Sequence, residues 1–237
     1  MANLRLFLGL CAATFALTIA PACAHGDGGG AAAEKVAELS TEELENRARE
    51  RELGDEDYPY HDQPREIDGE PDCPDIKVVE YEGKVIDYNR PIEVNKHFRK
   101  RLTRFEKIVR DVAKDVYGKA PDKIVHAGGH HCKTVGGRGE KLSEHAFGHA
   151  IDVSGFVFED GAGVKGVGKE QADGFEVRLE EHWNGKSGFD KKHRTFLRRL
   201  VNELKVRGPF STMLGPEYPG HDKFFHLDFG PEFFFRI

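Results

Sequence analysis

Residues 143–158 read "SEHAFGHAIDVSGFVF", and this stretch joins two different patterns. Its second part, "AIDVSGFVF", is a short apolar run rich in Val, Ile and Phe, which predicts a buried strand. Its first part packs two histidines and an acid around a glycine. Asp152 falls inside the strand, between Ile151 and Val153, where a carboxylate is costly unless its charge is compensated. A divalent cation would compensate it. His145 lies seven positions earlier, an odd spacing that places the two side chains on opposite faces of a straight strand. They can face one point only if the chain turns between them, and Gly148 permits that turn cheaply.

A metal centre needs a third ligand. "KFFHLDF" (223–229) offers His226, flanked by Phe225 and Leu227 in a second apolar strand. Two histidines and one aspartate leave a fourth position for water, the layout of a catalytic zinc. The competing reading is that these histidines are hydrogen-bonded core or surface groups, and spacing alone does not decide between the two.

The surrounding pattern mixes strands and helices. "IKVVEY" and "KVIDY" flank Glu82-Gly83 and predict a hairpin. From Val94 to Val116 the spacing is helical, with Phe98, Leu102, Phe105, Val109, Val112 and Val116 on one face and Gly118 as the stop. "KIVHAG" predicts a short strand turned by Gly128 and Gly129. A second helix is expected from Lys191 to Lys205, and "KFFHLDF" as the last strand. Without regular strand–helix alternation, the expected class is α+β with a small, largely antiparallel sheet flanked by helices.

The N-terminus differs from the rest. "MANLRLFLGLCAATFALTIAPACA" has an early Arg5, an apolar run and then small residues, the pattern of a secretory signal peptide over residues 1–24. The protein is therefore expected to be exported, to the periplasm or beyond the cell. "APAC" also partly resembles a lipobox, so a lipid anchor at Cys23, and with it an outer-membrane lipoprotein, is the alternative. Ser40 and Glu43 have capping-box spacing within a charged helical stretch. Residues 25–71 read as a partly helical acidic linker, and 72–237 as the compact domain. Cleavage behind Ala24 leaves Cys73 and Cys132, which an oxidising compartment would join; two unpaired thiols are the other reading. The formal net charge of −6 argues against a basic surface and against nucleic acid as a partner.

Two longer matches narrow the choice. "KLSEHAFGHAIDVSGF" follows the Ser-x-His-x-x-Gly-x-Ala-x-Asp pattern of zinc D-alanyl-D-alanine peptidases, the group that shares its fold with the hedgehog signalling domain. The series "IVHAGGHHCKTV", "KLSEHAFGHAIDVSGF", "STMLGPEYPGH" and "FFHLDFG" resembles more closely the bacterial extensin-like C-terminal domain, over roughly residues 73–231. The resemblance implies a Zn2+ site with His145, Asp152 and His226 as ligands and Ser143 and Asp228 as their outer supports. It implies hydrolysis of amide bonds beside D-amino acids in peptidoglycan. Relatives carry an acid or histidine just before the last ligand, where this chain has Lys223 and Phe224; Asp222 or His221 is then the candidate base. An arginine usual after the cysteine is replaced by Lys133, with Arg138 nearby, as candidates to hold an anionic group. These departures keep a second expectation open, a cell-wall binding module that retains zinc without cutting. A metal-stabilised structural domain is the third.

Overall fold

A computed structural model of the chain describes residues 65–67, 69–137 and 139–237. The expected signal peptide, Cys23, the Ser40–Glu43 capping box, Arg138 and most of the 25–71 linker lie outside the described residues.

The strand expected from the opening stretch is β5 (Ala150–Phe158), and the sheet is assembled around it. β4 (Lys123–Gly128) runs antiparallel along one edge of β5. The other edge is shared: β8 (Phe225–Asp228) pairs with residues 150–153 and β6 (Phe175–Arg178) with residues 155–158, both antiparallel. β7 (Thr212–Leu214) continues outward from β8, and β2 (Asp87–Tyr88) from β4. β9 (Phe234–Arg236) closes the far edge beside β7. Only the β2–β4 and β7–β9 pairs are parallel, so the sheet is largely antiparallel and the class is α+β.

Two long helices cover this sheet. α1 (Arg99–Tyr117) buries Leu102, Phe105, Val109, Val112 and Val116, five of the expected apolar face, with Phe98 buried at its start. Removing each from water contributes roughly 1.5–3 kcal/mol. Gly118 ends α1 in the left-handed conformation (φ 93°), its N–H bonded to the Lys114 carbonyl. After α2 (Leu179–His182), α3 (Gly188–Arg207) buries Phe196, Leu197, Leu200, Val201 and Leu204. Phe196 meets Phe156 edge-to-face at 5.1 Å, and Tyr117 meets Phe158 at 4.9 Å, which fixes both helices to β5.

Three sequence expectations need correction. β1 (Val78–Tyr81) does not pair with β2; it pairs with β3 (Ile92–Asn95) in a separate ribbon. Between β1 and β2 the carboxylate of Glu106 accepts the Lys84 and Val85 N–H groups, at 3.0 and 2.8 Å, and these bonds hold the loop against α1 instead of letting it close a hairpin. Because Ile92–Asn95 is strand, α1 starts at Arg99, not near Val94. β8 is not the last strand either: β9 follows it, with Phe234 43% exposed and Ile237 buried. The net charge also misled. Lys84, Lys96, Arg99, Lys100, Arg104 and Lys107 line one cavity, so a negative total coexists with a concentrated basic surface.

The expected linker contributes to the domain at its end. Arg65 is buried, its guanidinium stacked on the Phe147 ring at 4.5 Å, and Ile67 packs on Leu142, Ala146 and Phe147. Cys73 and Cys132 form a disulfide, with Cα atoms 5.9 Å apart.

Candidate metal centre

His145 sits on a single 3-10 turn, Glu144–Phe147, that leads into β5. Ser143 caps this turn, its hydroxyl accepting the His145 N–H at 3.4 Å. Gly148 ends it with φ 65°. A Cβ there would stand 2.6 Å from the Asn95 nitrogen, so both the left-handed backbone and the close approach require glycine. This is the turn the odd His145–Asp152 spacing demands.

Asp152 and His226 are direct cross-strand partners on β5 and β8. His145 Nε2 lies 3.3 Å from Asp152 Oδ1 and 3.1 Å from His226 Nδ1, and the last two atoms are 3.0 Å apart. Four donors held tetrahedrally at zinc–ligand distances would stand about 3.3 Å from one another. The triangle therefore already has the dimensions of three corners of such a site.

The outer hydrogen bonds define what these atoms offer. His145 Nδ1 faces the Gly129 carbonyl, which can only accept, so Nδ1 carries the proton and Nε2 presents a lone pair. His226 Nε2 faces Asp228 Oδ2 at 2.9 Å, and donating there leaves Nδ1 as a lone pair too. With both rings neutral, two imidazole lone pairs and a carboxylate oxygen would converge, an arrangement that repels itself unless a cation or a proton enters. Without a metal, a proton on His226 Nδ1 bridges to Asp152 Oδ1 at 3.0 Å, where a cation would otherwise serve. The titration behaviour has the same origin. Burial pushes the Asp152 carboxyl up, but hydrogen bonds to His145 and His226 outweigh it and hold it well below the usual carboxylate range. Burial pulls the His226 imidazole down, but Asp152 and then Asp228 raise it to about 9. Burial raises Asp228, opposed by His226. The donor set, its spacing and its outer supports fit a divalent metal. The Asp152 and His226 side chains remain 12% and 11% exposed, so the centre is reachable from solvent.

The remaining candidates divide. Lys133 comes to the rim, its Nζ 4.0 Å from Asp152 Oδ2. His221 also faces the centre: its ring centroid is 6.1 Å from that of His226. The bend that brings it there includes Gly220, at φ 82°. Burial lowers its pKa below the ordinary value, and Pro219 O takes its Nδ1–H at 3.2 Å, leaving Nε2 as an acceptor. Asp222, which a regular strand would have aimed alongside His226, is exposed, because residues 221–224 form a turn and β8 begins only at Phe225. His149 is fully buried but does not join the ligand triangle; its Nδ1 lies 3.6 Å from Glu144 Oε2.

Two supports went unread in the sequence. The Gly129 carbonyl orients His145, and a Cβ at Gly129 would stand 2.3 Å from Glu93 O, so this approach also needs glycine. Arg65 pairs with Glu144, the first residue of the ligand turn. The glycine pair was visible as a turn, but nothing in the sequence signalled Arg65. A looser grouping, His182, Asp190 and His193, sits elsewhere; there Asp190 is 3.9 Å from His182 and His193 Nδ1 is engaged by the Tyr117 hydroxyl at 2.8 Å.

Fold and centre together define an α+β domain with a buried two-histidine, one-aspartate cluster open to solvent on one side. The chain belongs to the family described as extensin-like protein C-terminus, whose model matches residues 48–233. No curated protein and no solved structure matches it.

Proposed function

We propose that this is an exported zinc-dependent peptidase that hydrolyses amide bonds next to D-amino acids in peptidoglycan. The observation that carries the reading is the convergence of three potential ligand atoms, His145 Nε2, Asp152 Oδ1 and His226 Nδ1, with both rings oriented by hydrogen bonds from their outer nitrogens. Zinc in such a site supplies Lewis acidity, polarising a carbonyl and acidifying a water molecule. His221 supplies the base: its Nε2 lone pair, kept free of a proton by partial burial, takes a proton from the attacking water. Lys133 places a cation at the rim, where it can hold a substrate carboxylate or the developing oxyanion. A lysine offers a point charge without an arginine's fork, so it orients an anion less strictly. Gly129 and Asp228 hold the ligand rings in place, and Ser143 caps the turn that carries His145.

The second reading, a wall-binding module that keeps the metal without cutting, is favoured by one observation. Lys223 and Phe224 occupy the positions before the last ligand where proton-handling groups were expected, and Lys223 is turned to an ion pair with Glu180 at 3.0 Å. The test is incubation of the zinc-loaded protein with defined muropeptides, with products read by mass spectrometry. Cleavage by the wild type and none by His145→Ala supports the peptidase. Retention of muropeptide without cleavage across the set would replace it with the binding module. Less than about half an equivalent of zinc after loading would overturn the ligand assignment itself.

A further inference from the structure

The N-terminal half of α1, the turn before it and the loop before β2 line an open surface cavity of about 580 Å³. Its charged lining is entirely basic: Lys84, Lys96, Arg99, Lys100, Arg104 and Lys107. Arg99, Thr103 and Lys107 recur every four residues, which stacks them on one face of the helix. Lys100 and Arg104 form the neighbouring row.

Some cations elsewhere are paired, such as Arg199 with Asp115 at 3.1 Å and Arg207 with Asp111 at 3.0 Å. Lys84, Lys96, Arg99, Arg104 and Lys107 have no carboxylate partner among the described residues. The acid of the helix closest in sequence to this stripe, Glu106, is fully buried. It is committed to the Tyr81 hydroxyl and the Lys84 and Val85 amides. α1 has no acid in its first turn, and Arg99 stands there at the positive end of the helix dipole. Clustered like charge at that end is destabilising until an anion arrives.

We propose that this cavity binds a polymer bearing closely spaced phosphates, held by Lys84, Lys96, Arg99, Arg104 and Lys107. Phosphate matches this lining better than carboxylate does. Its two non-bridging oxygens sit on a tetrahedral centre and point out of the chain axis, so an arginine fork and a neighbouring lysine can approach one group from different sides. A nucleic acid matches it less well, because only the His97 ring could stack on a base and single-strand binding draws on several aromatic platforms. The inference does not depend on the metal reading, since the two sites share no residue.

The test is binding of labelled linear polyphosphate to the full chain, with polyuronate and single-stranded DNA as competing polymers. Polyphosphate is expected to bind and to weaken steeply with salt, about 100-fold between roughly 50 and 200 mM if all five cations engage. The combined Lys96→Gln, Arg104→Gln, Lys107→Gln variant, with all three positions exposed, should weaken binding at least tenfold at low salt while its melting curve is retained. Equal binding by wild type and variant would overturn the site. Tighter binding of polyuronate than of polyphosphate would overturn the phosphate assignment, and tighter binding of DNA would overturn the preference for a polymer without bases.

Discussion

Asp228 illustrates how much one outer side chain decides. It touches no ligand position itself, yet its Oδ2 takes the His226 Nε2 proton and thereby fixes which nitrogen of that ring faces the centre. Asp228→Ala should reduce zinc affinity by about 10- to 100-fold, measured by chelator competition. Asp228→Asn, which keeps an acceptor oxygen, should lose much less, and equal losses for the two would sink the orienting role. His193 carries a separate prediction. Burial, with His182 and Lys192 nearby, lowers its pKa to about 3. Between about pH 6.5 and 3 the unfolded chain takes up this proton and the folded chain does not. The contribution to stability is therefore complete above about pH 6.5 and is lost as pH falls, by up to about 1.4 kcal/mol per unit. His193→Gln should flatten the stability profile between pH 6 and 4 relative to wild type; parallel profiles would refute it. At this scale the sequence was most informative where chemistry was local. Asp152 was conspicuous because a carboxylate interrupts an apolar strand, whereas the carbonyl of Gly129 has no side chain to announce it.

At the scale of elements, periodicity identified α1, α3, β4 and β5, because each buries a regular face. It failed on pairing. The first two strands look like a hairpin in sequence, and the group that redirects them, Glu106, is eighteen residues beyond β2. The sequence does not announce the role of Glu106; only the fold shows it capturing a tyrosine hydroxyl and two amides. Glu106→Ala would take this acceptor from the partly buried Lys84 and Val85 amides, while the Tyr81 hydroxyl keeps Thr103 Oγ1 at 2.9 Å. The expected cost is about 2 kcal/mol, read from urea unfolding midpoints. Glu106→Gln retains an acceptor and should cost less. A loss below about 1 kcal/mol for the alanine variant would mean that water replaces the carboxylate and that the loop is held by other contacts. The basic cavity was illegible for a related reason: its cations come from a loop, a strand end and a helix, and only folding adds them together.

For the whole molecule, the disulfide joins the arriving chain to the metal centre. Cys73 packs on Leu142, Ala146 and Phe147, the small cluster beneath the His145 turn. Cys132 lies between Gly129, which orients His145, and Lys133, at the rim. Residues bearing on the centre thus depend on a crosslink that spans 59 positions. In the chain-entropy model a loop of this length restricts the unfolded state by about 4 kcal/mol. Reduction of the metal-free protein should therefore lower its urea midpoint by an amount approaching that value. The slope of the transition should rise, because the reduced unfolded chain exposes more surface. The same bond also holds the native loops, so reduction should weaken zinc binding as well as the fold. These effects separate experimentally. If the crosslink acted only on the unfolded state, zinc affinity measured well below the unfolding transition would be unchanged by reductant. A tenfold or greater loss of affinity under those conditions would place part of its action in the folded protein, where Cys132 holds Gly129 and Lys133 in position.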